Sequence, residues 1–329
     1  MATYKTGSSG PEIVKIQTKL AALGYYTGPI DGRFGGGTEG AVKAFQKDTA
    51  GLDVDGAVGP FTWKALFKRA IPAPALHDEP VNWRCLALTG TFETSCGIPD
   101  CFAGISGDFD GQGISFGVLQ WNIGQQSLQP LLAQMIGDHP QVCQSIFHEH
   151  LDTIRTLGGE SAEEQLKFAC SIQTPKGDVV EPWRGMLVSL GRTNEFQAIQ
   201  ASHASKLLDN SIALCGAYGL RSERAVALMF DIQTQNGSIK PLVKTQILAD
   251  FKQVTASAPD DVEVARMRII ANRVAASARA QFVDDVRVRK LTIAEGKGTV
   301  HGIPYDLENV YCLTLAPFAS SNAASTSGD

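Results

Sequence analysis

Residues 92–122 read FETSCGIPDCFAGISGDFDGQGISFGVLQWN. This stretch sets one glutamate, Glu93, at the end of an apolar run (Cys85, Leu86, Leu88, Phe92) and two aspartates, Asp108 and Asp110, in a glycine-rich segment. A carboxyl kept protonated by an apolar setting, opposite a carboxylate ionised in a wetter one, is the pair that acid–base cleavage of a glycosidic bond requires. Burial against Leu88, Phe92 and Phe116 is expected to keep Glu93 protonated as the general acid, while Asp110, in a hydrated turn, stays ionised as the base. Asp108 competes with Asp110, because residues two apart on a strand point the same way; the Asp-Gly-x-Gly pattern continues from Asp110. If water attacks directly, the two carboxyls lie about 6.5–9.5 Å apart and the anomeric configuration inverts. Phe116 and Trp121 offer rings for stacking on sugars, with core packing as the competing reading. Gln120 and Asn122 offer amides for N-acetyl or hydroxyl groups.

These residues need a scaffold, and 329 residues suggest about two domains at ~150 residues each. Hydrophobic residues make up 43% and charged residues 19%, the balance of a soluble globular chain. A net charge of −5 gives no case for a nucleic-acid partner. The most basic stretch, Val262–Lys290, carries Arg266, Arg268, Arg273, Arg279, Arg287, Arg289 and Lys290 against three acids. It reads as a solvated helix face or, more sharply, as a contact for an anionic polymer or lipid surface. Seven cysteines without a CxxC suit buried thiols in a reducing compartment, although Cys96 and Cys101 flank a loop that a disulfide could close after export. His148-Glu149-His150 places its imidazoles on different helix faces, and no phosphate loop is present, so neither a metal nor a cofactor is expected. The opening residues lack a signal peptide's apolar core, and no 18-residue apolar run follows. The expectation is synthesis in the cytoplasm, no stable membrane insertion, and release by other means to act in the periplasm or cell wall.

In chain order, residues 1–10 read as a loose arm. From Pro11, the spacing of Ile13, Ile16, Leu20 and Leu23 predicts an amphipathic helix ended by Gly24. Two like units follow, Ile30-Asp31-Gly32-Arg33-Phe34-Gly35 and Val54-Asp55-Gly56-Ala57-Val58-Gly59, each an Asp-Gly turn opening the next helix. The result is a three-helix bundle over residues 11–70. A proline- and alanine-rich linker spans 71–81. A second, larger domain of residues 82–317 has helical signals at Leu166–Ile172 behind the capping box Ser161-Ala162-Glu163-Glu164, at Thr193–Gly216, at Ser222–Gln235 and at Asp260–Arg289. Strands are expected only within residues 102–121. The tail 318–329 reads as disordered.

The pattern VKIQTKLAALGYYTGPIDGRFGGGTEGAVKAFQKDTAGLDVDGAVGPFTWKAL resembles the three-helix peptidoglycan-binding domain attached to many cell-wall hydrolases, with both Asp-Gly turns, Phe45-Gln46 and Thr62-Trp63 in place. That resemblance implies glycan strands as partner, with Tyr25, Tyr26, Asp31, Arg33 and Phe34 as groove residues. A glutamate at a helix end followed by Asp110-Gly111-Gln112-Gly113-Ile114-Ser115-Phe116-Gly117 resembles family 46 chitosanases of the lysozyme-like superfamily. Carried over by position, Glu93 is the acid, Asp110 the base, and Ser115 stands where that family has a threonine holding the attacking water. Gly117-Val118-Leu119-Gln120 also resembles a motif of goose-type lysozymes and lytic transglycosylases. Together these imply a mainly α chain, a small three-helix bundle joined to a larger lysozyme-like α+β domain with one β-hairpin. The expected activity is a monomeric, cofactor-free muramidase-type endolysin. Alternatives are a lytic transglycosylase using Glu93 alone, a chitosanase, or a non-catalytic wall-binding or virion protein.

Overall fold

The computed structural model describes residues 4–8, 11–69, 76–108 and 111–318. The ends of the expected arm, residues 71–75 of the expected linker, Asp110 with Phe109, and the expected tail beyond Phe318 lie outside the described residues. The chain is mainly α, as anticipated. It divides into two compact units, residues 1–85 with 207–329, and residues 86–206.

The first unit begins with the three-helix bundle: α1 (Pro11–Ala22), α2 (Gly36–Asp48) and α3 (Pro60–Phe67). Ile13, Ile16, Leu20, Phe34, Val42 and Trp63 form its core. Each Asp-Gly turn is clamped by a buried glutamine. Gln17 donates to Asp31 Oδ1 (2.8 Å) and the Arg33 carbonyl (3.0 Å) and accepts from the Gly32 N–H (2.9 Å). Gln46 repeats the arrangement with Asp55, Ala57 and Gly56 at 2.8, 2.9 and 2.9 Å. Gly32 and Gly56 take φ of 71° and 76°, the left-handed region that glycine enters without a Cβ clash. Replacing Gln17 by Leu keeps its volume but strands the buried Gly32 N–H. Denaturant unfolding is therefore expected to show a loss of about 1–3 kcal/mol.

Part of the expected loose arm is packed. Tyr4 is buried and bridges Val58 in antiparallel fashion, and Lys5 pairs with the buried Asp306 at 3.2 Å. Gly7 abuts Pro304, whose carbonyl would lie 2.9 Å from a Cβ at position 7.

Later in this unit, the run Asp260–Arg289 is two helices, Pro259–Ala276 and Val283–Glu295. No glycine or proline marks the break at Ser277–Phe282, so the periodicity reads straight through it. The basic stretch is not simply a solvated face, since much of its charge is matched inside the unit. Arg268 pairs with Glu295, Arg273 with Asp250, Arg287 with Asp284, and Arg289 and Lys290 with Asp231. A hairpin of β4 (Lys297–Val300) and β5 (Ile303–Asp306) was not expected; the three strands that precede it in the chain lie in the second unit. Its two-residue turn, His301-Gly302, has positive φ at both positions (50° and 77°), the geometry that matches the twist of paired strands. Glycine and proline in the strands hide it from a pattern search.

The second unit takes up the helix Val81–Thr94 (α4) from Leu86 onward. It then forms a three-stranded antiparallel sheet of β1 (Ile105–Ser106), β2 (Ser115–Phe116) and β3 (Trp121–Asn122), in that order. Ile105 pairs with Phe116 and Phe116 with Trp121, so the expected single hairpin has a third strand. The core holds Phe116, Leu131, Met135, Phe147, Leu190 and Phe196. Ser161 caps the helix Ala162–Ser171 by accepting from the Glu164 N–H at 3.2 Å, as the capping box predicts. The run Thr193–Gly216 breaks at Ala204 into Asn194–His203 and Ser205–Ala217.

Candidate active site

Glu93 lies in the last turn of α4. That helix stops at Ser95, whose φ of 54° is left-handed and whose N–H still reaches the Thr91 carbonyl at 3.1 Å. Glu93 is exposed. The apolar nest expected for it is not formed, because Leu88, Phe92 and Phe116 are 0, 2 and 0% exposed and belong to the packed interior. Phe92 is thus the anchor that fixes the helix end, and Glu93, one residue on, faces out. The helix also needs Gly90, where a Cβ would stand 2.0 Å from Val118 Cγ2. Gly90→Ala is expected to cost about 1–3 kcal/mol by overpacking, measurable as a lowered Tm.

The short ladders of the sheet are braced by side-chain amides. Gln120, expected as a sugar contact, instead donates to the Gly104 and Gly117 carbonyls (3.1 and 2.9 Å) and accepts from Ser106 Oγ (2.8 Å). Asn122, 8% exposed, accepts from the Gln125 N–H at 2.8 Å and shapes the turn after β3. Phe116 is excluded as a sugar platform, being wholly buried and stacked on Phe196 with centroids 5.6 Å apart. Trp121 is half-buried against the same core, and Ser115 is half-buried between Ser106 and Asn122. Gln200, which sequence reading missed, accepts from the Val118 N–H (2.8 Å) and donates to the Phe102 carbonyl (3.0 Å). A lone polar residue on a buried helix face gives no signal of such a tie.

Asp108 has its groups engaged within the protein. Its N–H donates to Gln173 Oε1 at 2.6 Å, Oδ1 accepts from the Gly111 N–H at 2.7 Å, and Oδ2 lies 3.8 Å from Cys170 Sγ. This is the pattern of a loop anchor. Asp110, the rival for the base role, lies outside the described residues.

All seven cysteines are free thiols, Cys96 and Cys101 included, and burial pushes the Cys101 thiol well above its ordinary range. Among the described residues no group of three or more His, Cys, Asp or Glu is placed to hold a metal ion, and no helix is long and apolar enough to cross a membrane.

In the bundle, Phe34 (1% exposed) is core and not a groove residue. Tyr26 is buried, with its hydroxyl donating to the Pro29 carbonyl at 2.8 Å, and Asp31 accepts from Gln17 and from the Arg33 N–H. Tyr25 is half-buried, edge-on to Phe45, and Arg33 is half-buried. The large apolar side chains exposed among the described residues of the bundle are instead Val14, Leu23, Ile30, Val54 and Phe61, with Phe61 81% exposed. In the internal repeat Phe61 takes the place of Gly37, a difference legible only once Thr38 and Thr62 are aligned.

Residues 9–66 match the family model described as "Putative peptidoglycan binding domain". A spore cortex-lytic enzyme of Bacillus cereus is 44% identical over 62 residues, 19% of this chain and 24% of that protein. N-acetylmuramoyl-L-alanine amidase CwlM of Mycobacterium tuberculosis is 40% identical over 58 residues, 18% of this chain and 14% of that one. The chain thus spans a quarter or less of the length of these relatives. Among solved structures, chitosanase OU01 with substrate is similar at a TM-score of 0.42 and 16% identity, covering 72% of this chain and 100% of that one. The GH46 chitosanase of Gynuella sunshinyii with chitotetraose gives 0.43 and 10%, covering 70% and 98%.

Proposed function

We propose that this chain is a cell-wall glycan hydrolase, a muramidase-type enzyme whose N-terminal bundle holds it on peptidoglycan while the helical remainder cleaves β-1,4 bonds between the sugars. The observation that carries the reading is the pairing, in one chain, of a wall-binding family match over residues 9–66 with a glutamate exposed at a helix end ahead of an amide-braced sheet.

In this mechanism Glu93 donates its proton to the leaving glycosidic oxygen. Asp110 takes a proton from the attacking water, which Ser115 orients through its hydroxyl, and the product inverts. Asp108, whose carboxylate accepts the Gly111 N–H, is given the role of bracing the loop, and Asp110 that of the base. Glu93 is exposed in the free protein, so water is excluded from around it only once the polymer binds. Trp121 remains the aromatic candidate for a sugar face, and Tyr25 and Arg33 the candidates for wall contact, beside the exposed Ile30 and Phe61. Holding the enzyme on its polymer raises the local concentration of cleavable bonds.

The protein works as a monomer on glycan strands, in the wall, after release by lysis or delivery. Dye-labelled wall sacculi and chitosan, offered separately, test the substrate. Release from sacculi is expected, and release from chitosan alone would reassign the substrate.

A further inference from the structure

Two contacts join the end of α4 to the residues of the sheet, and Glu93 lies between them in the chain. Before Glu93, the notch left by Gly90 is filled by Val118, from the turn between β2 and β3: a Cβ at position 90 would overlap the Val118 Cγ2 methyl, and Val118 is wholly buried. After Glu93, the Gly104 backbone lies on Thr94, where a Cβ at position 104 would overlap the Thr94 Cγ2 methyl. The Thr94 hydroxyl closes the same helical turn by donating to the Gly90 carbonyl at 2.7 Å. Neither glycine has a left-handed backbone, so what each supplies is room for its neighbour. The partners of α4 are themselves tied down. Gln200, wholly buried on the helix Asn194–His203, accepts the Val118 N–H at 2.8 Å and donates to the Phe102 carbonyl at 3.0 Å. The Gly104 carbonyl accepts from the Gly117 N–H at 2.8 Å and from Gln120 Nε2 at 3.1 Å.

We infer that Val118 is a positioning residue for the proposed hydrolysis: seated in the Gly90 notch and held by Gln200, it sets the spacing between the acid Glu93 on α4 and Ser115 on β2. The inference rests on the glycan-hydrolase reading and concerns only these two of its groups. A methyl lodged in a close-packed notch leaves the helix no freedom to slide, because a packed interior transmits strain instead of absorbing it. Displacements of about 1 Å at a catalytic group cost up to about 10²-fold in turnover. Val118 touches no reacting atom in this account. It acts through the helix.

The test compares Gly90→Ala, Val118→Ala, the double variant and Glu93→Gln with the full wild-type chain on solubilised wall glycan, at a temperature where each protein is fully folded. Gly90→Ala is expected to lower kcat by about 10- to 100-fold with KM unchanged, because the added methyl pushes α4 away from Val118. Val118→Ala empties the notch and is expected to lower kcat by roughly 3- to 10-fold. The double variant moves the methyl from one side of the contact to the other. A Cβ at position 90 then meets the carbonyl oxygen and Cβ of position 118 at 3.2 and 3.3 Å, which small shifts can accommodate. Its kcat is expected to return to within about threefold of wild type. Should Gly90→Ala fail to fold, Val118→Ala carries the test by the same kcat and KM readout. A merely structural contact would lower Tm in the single variants and leave kcat of the folded protein at the wild-type value. That result, beside an inactive Glu93→Gln, would overturn the positioning role and leave the hydrolase reading standing. A double variant that regains Tm but not kcat would overturn it as well. A wild-type chain that releases nothing removes both.

Discussion

Glu93→Gln is expected to slow glycan release from purified walls by about 10²–10⁴-fold, the range that a positioned general acid supplies. An amide has nearly the same shape as the carboxyl but cannot pass a proton to the leaving oxygen. Because Glu93 is exposed at a helix end, the substitution lies outside the packed interior and should move stability by no more than about 0.5 kcal/mol. Wall binding, proposed for the bundle, should be unchanged. The same experiment separates the two aspartates. Asp108→Asn keeps an oxygen for the Gly111 N–H and should retain most activity, whereas Asp110→Asn removes the proposed base and should fall with Glu93→Gln. Rates equal to wild type in Glu93→Gln would end the catalytic assignment.

Asp231→Asn should have the largest effect on stability, about 3–5 kcal/mol, because it removes the anion from a buried ion cluster. Asp231 and Lys290 are 0% exposed and Arg289 is 2%. Arg289 Nη2 reaches Asp231 Oδ1 at 2.7 Å, and Lys290 Nζ reaches Oδ2 at 2.5 Å and Gln235 Oε1 at 2.6 Å. The asparagine would leave both cations buried without their carboxylate. Burial pushes the Asp231 carboxyl up, but Arg289 and Lys290 together outweigh it and hold it at about 2. A carboxyl depressed in the folded state binds its proton more readily when unfolded. Its stabilisation is therefore complete above the ordinary carboxylate value near ~4 and is lost as pH falls toward about 2. Urea unfolding of the wild type across that window should show falling stability. The fall should be shallower in Asp231→Asn, which has no such carboxyl to titrate; parallel curves would contradict the assignment.

What the sequence made legible was local. The Asp-Gly turns, the Ser161 cap and the Glu93 helix end follow from residue types a few positions apart, and each is present. What it hid was tertiary. Leu88, Phe92 and Phe116 are as apolar as a carboxyl's nest requires, but α4 turns the first two, and β2 the third, to the interior and Glu93 is left outside, an outcome decided by which face packs. Gln17, Gln46, Gln120, Gln173 and Gln200 brace the turns and the sheet through partners up to 98 residues away, and no spacing rule reports such contacts. The β4–β5 hairpin was lost because its glycine and proline are the residues that usually argue against a strand.

Mass spectrometry of the products from purified peptidoglycan, digested by wild type and by Glu93→Gln, decides whether this chain hydrolyses glycan through Glu93. Wild type is expected to give muropeptides with new hydrolysed reducing ends, and Glu93→Gln none. Anhydro-sugar ends, stem peptides freed from intact glycan, or identical products from both proteins would contradict it.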